Sequence, residues 1–460
     1  MSQVHSSALL IACVLAGCST PESRVQEVRE EVGGANVLLI AADSFAAGHS
    51  STYGYERATT PNLSKLADEG IRFSDASAGS SSGLASTATL FSGEALDFAP
   101  VDEPGESLPS TVTNLAEAFR AKGYLTVAVS THPAFSMKLG HDRGFDMFSE
   151  LEETPGGGVS EATNLLVEKT LASQGGGAWF TYVHLGTALP PRAPEASRAE
   201  ALLGYVPEAK FGTREFIDDM KGTKAAAQLT LEALDLYDAV LIDIDFALGR
   251  WLDVLESAGN LDNTLVIVTG TNGQAFGQRN HFGVGSDVHQ EQISVPLVMH
   301  LPGAFLGGQV LDEPVAVYDL YPTLADLLGL DGPEFRSSIS LAPLLVGDWL
   351  ERPHPVTSRT VAKRPHYAMR QGHFKLIERT GREEGARGTL HHLERDPLEQ
   401  SDHSSKRPET LANLQADLRR FRGVAEKQRV QVERAELTDE ARAELRALGY
   451  SVARESDSDL

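Results

Sequence analysis

The sequence predicts an α/β protein built on a doubly wound, mostly parallel sheet, followed by a smaller C-terminal α+β region. Two observations carry the first part. Short continuous apolar runs, such as Asn36 to Ala42 and Leu265 to Thr269, read as strands buried on both faces. They alternate with amphipathic stretches at helical spacing, the pattern of strand–helix–strand units. A third observation concerns polar groups: Asp43, His184 and Thr271 each stand at or just past the end of an apolar run, where open α/β sheets bind ligands.

The elements follow in order. Asn36 to Ala42 is the first strand and Leu63 to Gly70 a helix with a glycine stop. Val112 to Lys122 has apolar residues at helical spacing, and Tyr124 to Ser130 is strand-like after Gly123. Trp179 to His184 is a further strand. Leu229 to Ala258 is a long amphipathic helix, with Leu231, Leu234, Val240, Leu241, Ile244, Leu248, Leu252 and Leu255 near a 3.6 period. Leu265 to Thr269 and Val295 to Leu301 are strands, and Tyr318 to Leu328 is a helix. From about Ser337 the character changes. His373 to Ile377 and Gly388 to Leu393 read as antiparallel strands around a turn at 380–388, with helices at Glu409 to Glu426 and Asp439 to Leu448. The expected organisation is a signal peptide at 1–17, a tether at 18–35, a main α/β domain at 36–336, an α+β subdomain at 337–454 and an acidic tail at 455–460.

Composition narrows the function. The chain carries 64 Asp and Glu against 40 Lys and Arg, a formal charge of −24. Nucleic-acid binding needs a basic face, so no nucleic-acid partner is expected. The only cysteines are Cys13 and Cys18, which excludes a disulfide framework and a cysteine-based zinc cluster. Ala8 to Gly17 is apolar or small, too short to span a bilayer, which takes about 20 residues. It ends in Leu15-Ala16-Gly17-Cys18 and resembles the bacterial lipoprotein signal, although Met1 to Ser7 lacks Lys and Arg. The resemblance implies cleavage before Cys18, acylation of its thiol with palmitate-type chains, and attachment to a membrane of the cell envelope. The outer membrane or periplasmic face is favoured, because Ser19 carries no acidic retention signal. Ser19 to Gly34 is polar, without core periodicity, and reads as the tether.

Several segments together resemble the sulfatases of the alkaline-phosphatase superfamily. They include NVLLIAADS at 36–44, YGYERATTPNLSKLADEGIRF at 53–73, TATLFSG at 87–93, LDNTLVIVTGTNG at 261–273, VPLVMHLPG at 295–303, DLYPTLADLLGL at 319–330 and LHHLERDP at 390–397. The family's chemistry, by this resemblance, is displacement at a sulfate ester. A nucleophile derived from Cys or Ser acts beside a divalent metal, and basic residues clamp the sulfate.

The same comparison shows departures at nearly every working position. The nucleophile motif Cys/Ser-x-Pro-Ser-Arg falls on Gly83-Leu84-Ala85-Ser86-Thr87, so the nucleophile position is Gly83 and the arginine position Thr87. Ser82, Ser86, Thr87 and His184 remain as catalytic candidates, and the serines are expected in a loop. The metal site keeps Asp43 and Asn272, with Ser44 and Thr271 in place of two aspartates. One carboxylate is a poor match to a hard cation, so no cofactor is expected unless a residual site takes Ca2+ or Mg2+. The clamp lysine falls on Thr131 and a clamp histidine on Pro133, one place from His132. A later catalytic histidine falls on Leu189, and the last basic position lies near Val284 or Ser286. His281 and His289 remain in that loop. The resemblance therefore implies a sulfatase-like pseudoenzyme that binds an unidentified ligand or protein partner. The alternative is an active hydrolase of sulfate or phosphate esters with a non-standard nucleophile or a metal-bound water.

Overall fold

The computed structural model describes residues 21–442 apart from 104, 152–157, 173–175, 223–226, 305–306, 351, 381–387, 435–437 and 440–441. The expected signal peptide, Cys18, most of the expected helix at 439–448 and the acidic tail lie outside the described residues.

Eight strands form the main sheet: β1 (Asn36–Ala42), β2 (Ile71–Phe73), β3 (Leu125–Ser130), β4 (Met147–Glu150), β5 (Trp179–Leu185), β6 (Thr264–Gly270), β7 (Leu297–His300) and β8 (Gln309–Leu311). Their order is β8-β2-β7-β6-β1-β5-β3-β4. The central strands β6, β1, β5, β3 and β4 run parallel, whereas β7 is antiparallel to both β6 and β2. All seven residues of β1 are buried, which is why its sequence from Val37 onward is an unbroken apolar run. Alternate residues feed opposite layers: Val37, Leu39 and Ala41 join one core, Leu38, Ile40 and Ala42 the other.

The first core is covered by α1 (Pro21–Val32), α3 (Gly83–Ser92), α4 (Leu115–Ala121) and α7 (Leu320–Leu328). The second is covered by α2 (Pro61–Glu69), α5 (Glu161–Ala172) and the 31-residue α6 (Ala227–Ser257). A four-stranded antiparallel sheet follows, β9 (Val356–Arg359), β10 (His366–Gln371), β11 (Phe374–Arg379) and β12 (Gly388–His392), with α8 (Pro408–Gln428) packed on it. The core of this C-terminal unit also takes in Ala95, Phe98, Ala316 and Tyr318. It is continuous with the main fold.

Two expectations need correction. Residues 21–32 are part of the core, although the sequence reads them as tether. Val25, Val28 and Val32 recur at helical spacing and are at most 8% exposed. Arg29 Nε donates to Asp326 Oδ1 at 3.0 Å, which ties α1 to α7. The second correction concerns Ser86 and Thr87, which lie inside helix α3, with Ser82 at its N-cap. Gly93, at φ 65°, closes that helix in the left-handed conformation that favours glycine. Among the described residues no helix is long and apolar enough to cross a membrane.

Candidate functional site

The site lies at the carboxyl ends of β1, β3, β5 and β6. Strand register brings it together: Ala41 pairs with His184 on one side and Thr269 on the other, and Ser130 pairs with His184. Asp43 N–H donates to Leu185 O at 2.9 Å, and Thr271 N–H donates to Ala42 O at 3.0 Å. These bonds extend the ladder one residue and fix Asp43 between His184 and Thr271. Ser44 then turns the chain with φ 55°, a left-handed conformation rare outside glycine. Its N–H donates to Asn272 Oδ1 at 3.2 Å, and its carbonyl accepts from Tyr237 Oη at 2.5 Å. The turn is thus held from two sides.

Asp43 is 0% exposed and ringed by donors. His132 Nε2 stands 2.9 Å and His184 Nε2 3.2 Å from Asp43 Oδ2. Thr271 Oγ1 donates to Asp43 Oδ1. Burial opposes ionisation of Asp43, but the charges and hydrogen bonds of His132 and His184 hold its carboxyl well below the usual carboxylate range. The hydrogen-bond network assigns the imidazole tautomers. His132 Nδ1 accepts the Ala134 N–H at 2.9 Å, so its proton is on Nε2. Tyr182 Oη lies 3.1 Å from His184 Nδ1. Burial pushes the Tyr182 phenol well above its ordinary value, so it stays protonated and donates. Burial also pushes His184 downward, against the opposing pull of the Asp43 carboxylate.

Gly83, the nucleophile position, opens α3 against this carboxylate. A Cβ there would stand 2.8 Å from Asp43 Cγ and 3.1 Å from Asn272 Oδ1, and closer still to Asp43 Oδ1. Asp43 therefore occupies the volume a nucleophile's side chain needs. The remaining hydroxyl candidates fare differently. Thr87 Oγ1 is spent on Gly83 O at 2.8 Å. Ser86 is 1% exposed. Ser82 is partly exposed but makes no side-chain cap to α3.

The divalent metal expected by resemblance does not fit these donors. Asp43 supplies the one carboxylate, and both its oxygens already accept hydrogen bonds. Asn272 Oδ1 accepts from Ser44 N–H. Among the described residues no group of three or more His, Cys, Asp or Glu side chains is arranged to hold a metal ion. A calcium site takes six or more oxygens, carboxylates among them.

Sequence reasoning passed over His132, one place from the family position. The available signal was the strand end at Ser130: the turn that follows, with Ser130 Oγ accepting His132 N–H at 3.1 Å, aims the ring back at Asp43. Leu189 and Val284 are partly exposed and contribute no polar group. His281 and His289 belong to a different cluster. His281 Nε2 stands 3.2 Å and His289 Nδ1 2.9 Å from Asp287 Oδ2, with His366 Nδ1 3.2 Å from Asp287 Oδ1. Arg379 Nη2 is 3.2 Å from Asp287 Oδ2. Burial opposes ionisation of Asp287 too, but bonds from the three histidines hold its carboxyl far below the usual range. This cluster joins the loop before β7 to β10 and β11.

The comparisons with known proteins agree with the fold. The family model described as "Sulfatase" matches residues 35–330. Bovine arylsulfatase A is 26% identical over 416 residues, covering 82% of this chain and 78% of that one. Rat steryl-sulfatase is 25% identical over 409 residues, covering 68% and 70%. Among solved structures, the phosphonate monoester hydrolase of Agrobacterium radiobacter superposes with a TM-score of 0.68 at 20% identity, covering 88% of this chain and 98% of that one. The phosphonate monoester hydrolase of Silicibacter pomeroyi gives 0.67 at 18%, covering 85% and 96%. These structural likenesses concern the fold alone. With a family match over well more than half of its length, and with Asp43, His184 and Asn272 at the strand ends where such sites are built, this chain belongs to the sulfatase family.

Proposed function

We propose that this chain is a sulfatase-family pseudoenzyme. It no longer hydrolyses sulfuric esters and acts by binding a ligand or scaffolding a protein partner at the bacterial cell envelope. One observation carries the reading: the nucleophile position is Gly83, and the Asp43 carboxylate fills the space its side chain would need. Covalent catalysis without a nucleophile loses several powers of ten in rate. Burial supports the same reading, because Asp43, Ser44, Ser86, Thr87, His132, His184, Thr271 and Asn272 are each at most 3% exposed. A groove of about 1080 Å³ lies elsewhere, lined by His49, Tyr53, Arg279, Arg370 and Leu398, and is the candidate surface for binding. Attachment through a lipid on Cys18 belongs to the same proposal and rests on the sequence of residues 8–18.

The test is turnover by the purified chain of an aryl sulfate and an aryl phosphate, with calcium or magnesium added. No rate above buffer is expected. Turnover that disappears in Asp43→Ala would overturn the proposal in favour of an active ester hydrolase, the activity carried in the names of the relatives. For the anchor, Cys18→Ser is expected to move the protein from the membrane to the soluble fraction, and mass spectrometry of the wild-type N-terminus reads the acyl chains.

A further inference from the structure

We infer that the family's divalent-metal position has become a metal-free cluster, in which the N–H groups of His132 and His184 take the cation's place against the Asp43 carboxylate. The inference concerns ion binding and is independent of whether any ester is cleaved.

Charge comes first. The family pattern places three carboxylates and an amide around a cation of charge +2, leaving about −1 by resemblance. Here Ser44 and Thr271 stand at two of those positions, and Asp43 alone brings charge. A divalent cation would leave a net +1 in a pocket closed to water, where an uncompensated charge is costly. The Nε2 groups of His132 and His184, at 2.9 and 3.2 Å from Asp43 Oδ2, instead give that carboxylate strong donors and add no divalent charge to the pocket.

Geometry points the same way. A cation at Asp43 Oδ2 would compete with two N–H groups, since His132 Nε2 and His184 Nε2 lie 2.9 and 3.2 Å from that oxygen. Neither ring is free to turn its bare nitrogen inward. His132 Nδ1 is tied to the Ala134 N–H at 2.9 Å, and His184 Nδ1 lies 3.1 Å from Tyr182 Oη. Asp43 Oδ1 accepts from Thr271 and lies against the side of Gly83 where a Cβ would stand. A carboxylate offers about four acceptor sites, so little is left for a metal. Asn272 Oδ1 already accepts the Ser44 N–H. Ser44 Oγ, without a hydrogen-bond partner, is a single neutral ligand, far short of what calcium or magnesium requires.

The experiment uses the full-length wild-type protein purified without added metal. Elemental analysis is expected to find far less than one calcium or magnesium per chain after dialysis. The thermal midpoint is expected to be the same in EDTA as in excess calcium. Long-range proton–nitrogen NMR is expected to show a proton on Nε2 of both His132 and His184 in EDTA, with signals unchanged when calcium is added. One calcium or magnesium per chain, retained through dialysis and lost to EDTA with a fall in midpoint, would overturn the inference. So would calcium-dependent movement of those imidazole signals at stoichiometric addition. A metal-loaded but inactive protein sinks this inference and leaves the pseudoenzyme reading standing; a metal-free protein that cleaves esters does the reverse.

Discussion

The Asp43 carboxylate stands where the first side-chain carbon of residue 83 would have to go, and only glycine at 83 lets β1 and α3 meet this closely. Gly83→Ala is the direct test of that contact. Alanine in a helix is intrinsically better than glycine by about 0.5–1 kcal/mol, so propensity alone predicts stabilisation. The added methyl meets a carboxylate pinned by His132, His184 and Thr271, and overpacking costs roughly 1–3 kcal/mol. The expected outcome is net destabilisation in urea titration, and a more stable variant would mean that Asp43 can retreat. Gly83→Ser is expected to behave similarly and to bring no ester turnover.

Removing the other side of the contact costs more. Asp43→Ala leaves His132 Nε2 and His184 Nε2 buried without the acceptor they share, while Thr271 Oγ1 still reaches Asn272 Oδ1 at 3.0 Å. Breaking a buried charged network by deleting one partner costs roughly 3–5 kcal/mol. The loss is expected to be the same in EDTA and in calcium. Equal stability of wild type and variant would mean that the cluster contributes nothing to the fold.

Helix α1 supplies a third prediction. Val32 is 0% exposed, in the same core as Leu320 and Leu324 of α7. Val32→Asp places an unpaired charge in that core and is expected to lower the unfolding free energy by several kcal/mol, since the mechanism is burial of a charge. If 21–32 behaved as a tether, the substitution would change stability by less than about 0.5 kcal/mol.

These cases show what the sequence made legible. The strands of the parallel centre were readable because burial on both faces forces continuous apolar runs, as in β1 and β6. The direction of β7 was not, since an apolar run has no polarity of its own. Helix α1 was missed because three valines among charged residues make a narrow stripe, and what covers it, α7, lies about 300 residues onward. At the site, Asp43, His184, Gly83 and Asn272 were legible from motif order. His132 was displaced by counting along the chain, whereas a turn after Ser130 decides where its ring points. Asp287 was invisible because two of its partners, His366 and Arg379, come from 79 and 92 residues away.

The long helix α6 gives a pH prediction. Burial pushes Asp245 up to about 6, from an ordinary value of 3.8, although its carboxylate accepts the Asn62 and Leu63 N–H groups at 2.8 Å each. A carboxyl with a raised native pKa binds more protons folded than unfolded between the two values. Its contribution to stability therefore grows as pH falls from about 6 towards 3.8 and is absent above that window. The Asp245→Asn side chain is an amide and cannot ionise. The stability of that variant relative to wild type should therefore improve as pH rises from about 5 to about 7, by about 1 kcal/mol or more. A difference between the two proteins that is flat with pH in urea titrations would refute the raised value.

The Asp287 cluster yields the last prediction. Its carboxylate holds His281 and His289 from the loop before β7, His366 from β10 and Arg379 from β11. Val288, Ile293, Ala368 and Ile377 form a small apolar contact between the same elements. If the loop histidines are anchors and not catalysts, removing Asp287 loosens this joint without touching the main sheet. Asp287→Ala leaves a guanidinium and three imidazoles without their common acceptor, and the cost is on the order of 3 kcal/mol. Hydrogen exchange should localise it: amides of β10 and β11 and of residues 286–293 exchange faster, while those of β1, β5 and β6 stay as protected as in wild type. Uniform acceleration across both sheets would show that the C-terminal unit and the main fold unfold as one cooperative body. Unchanged exchange throughout would show that the apolar contact alone carries the joint.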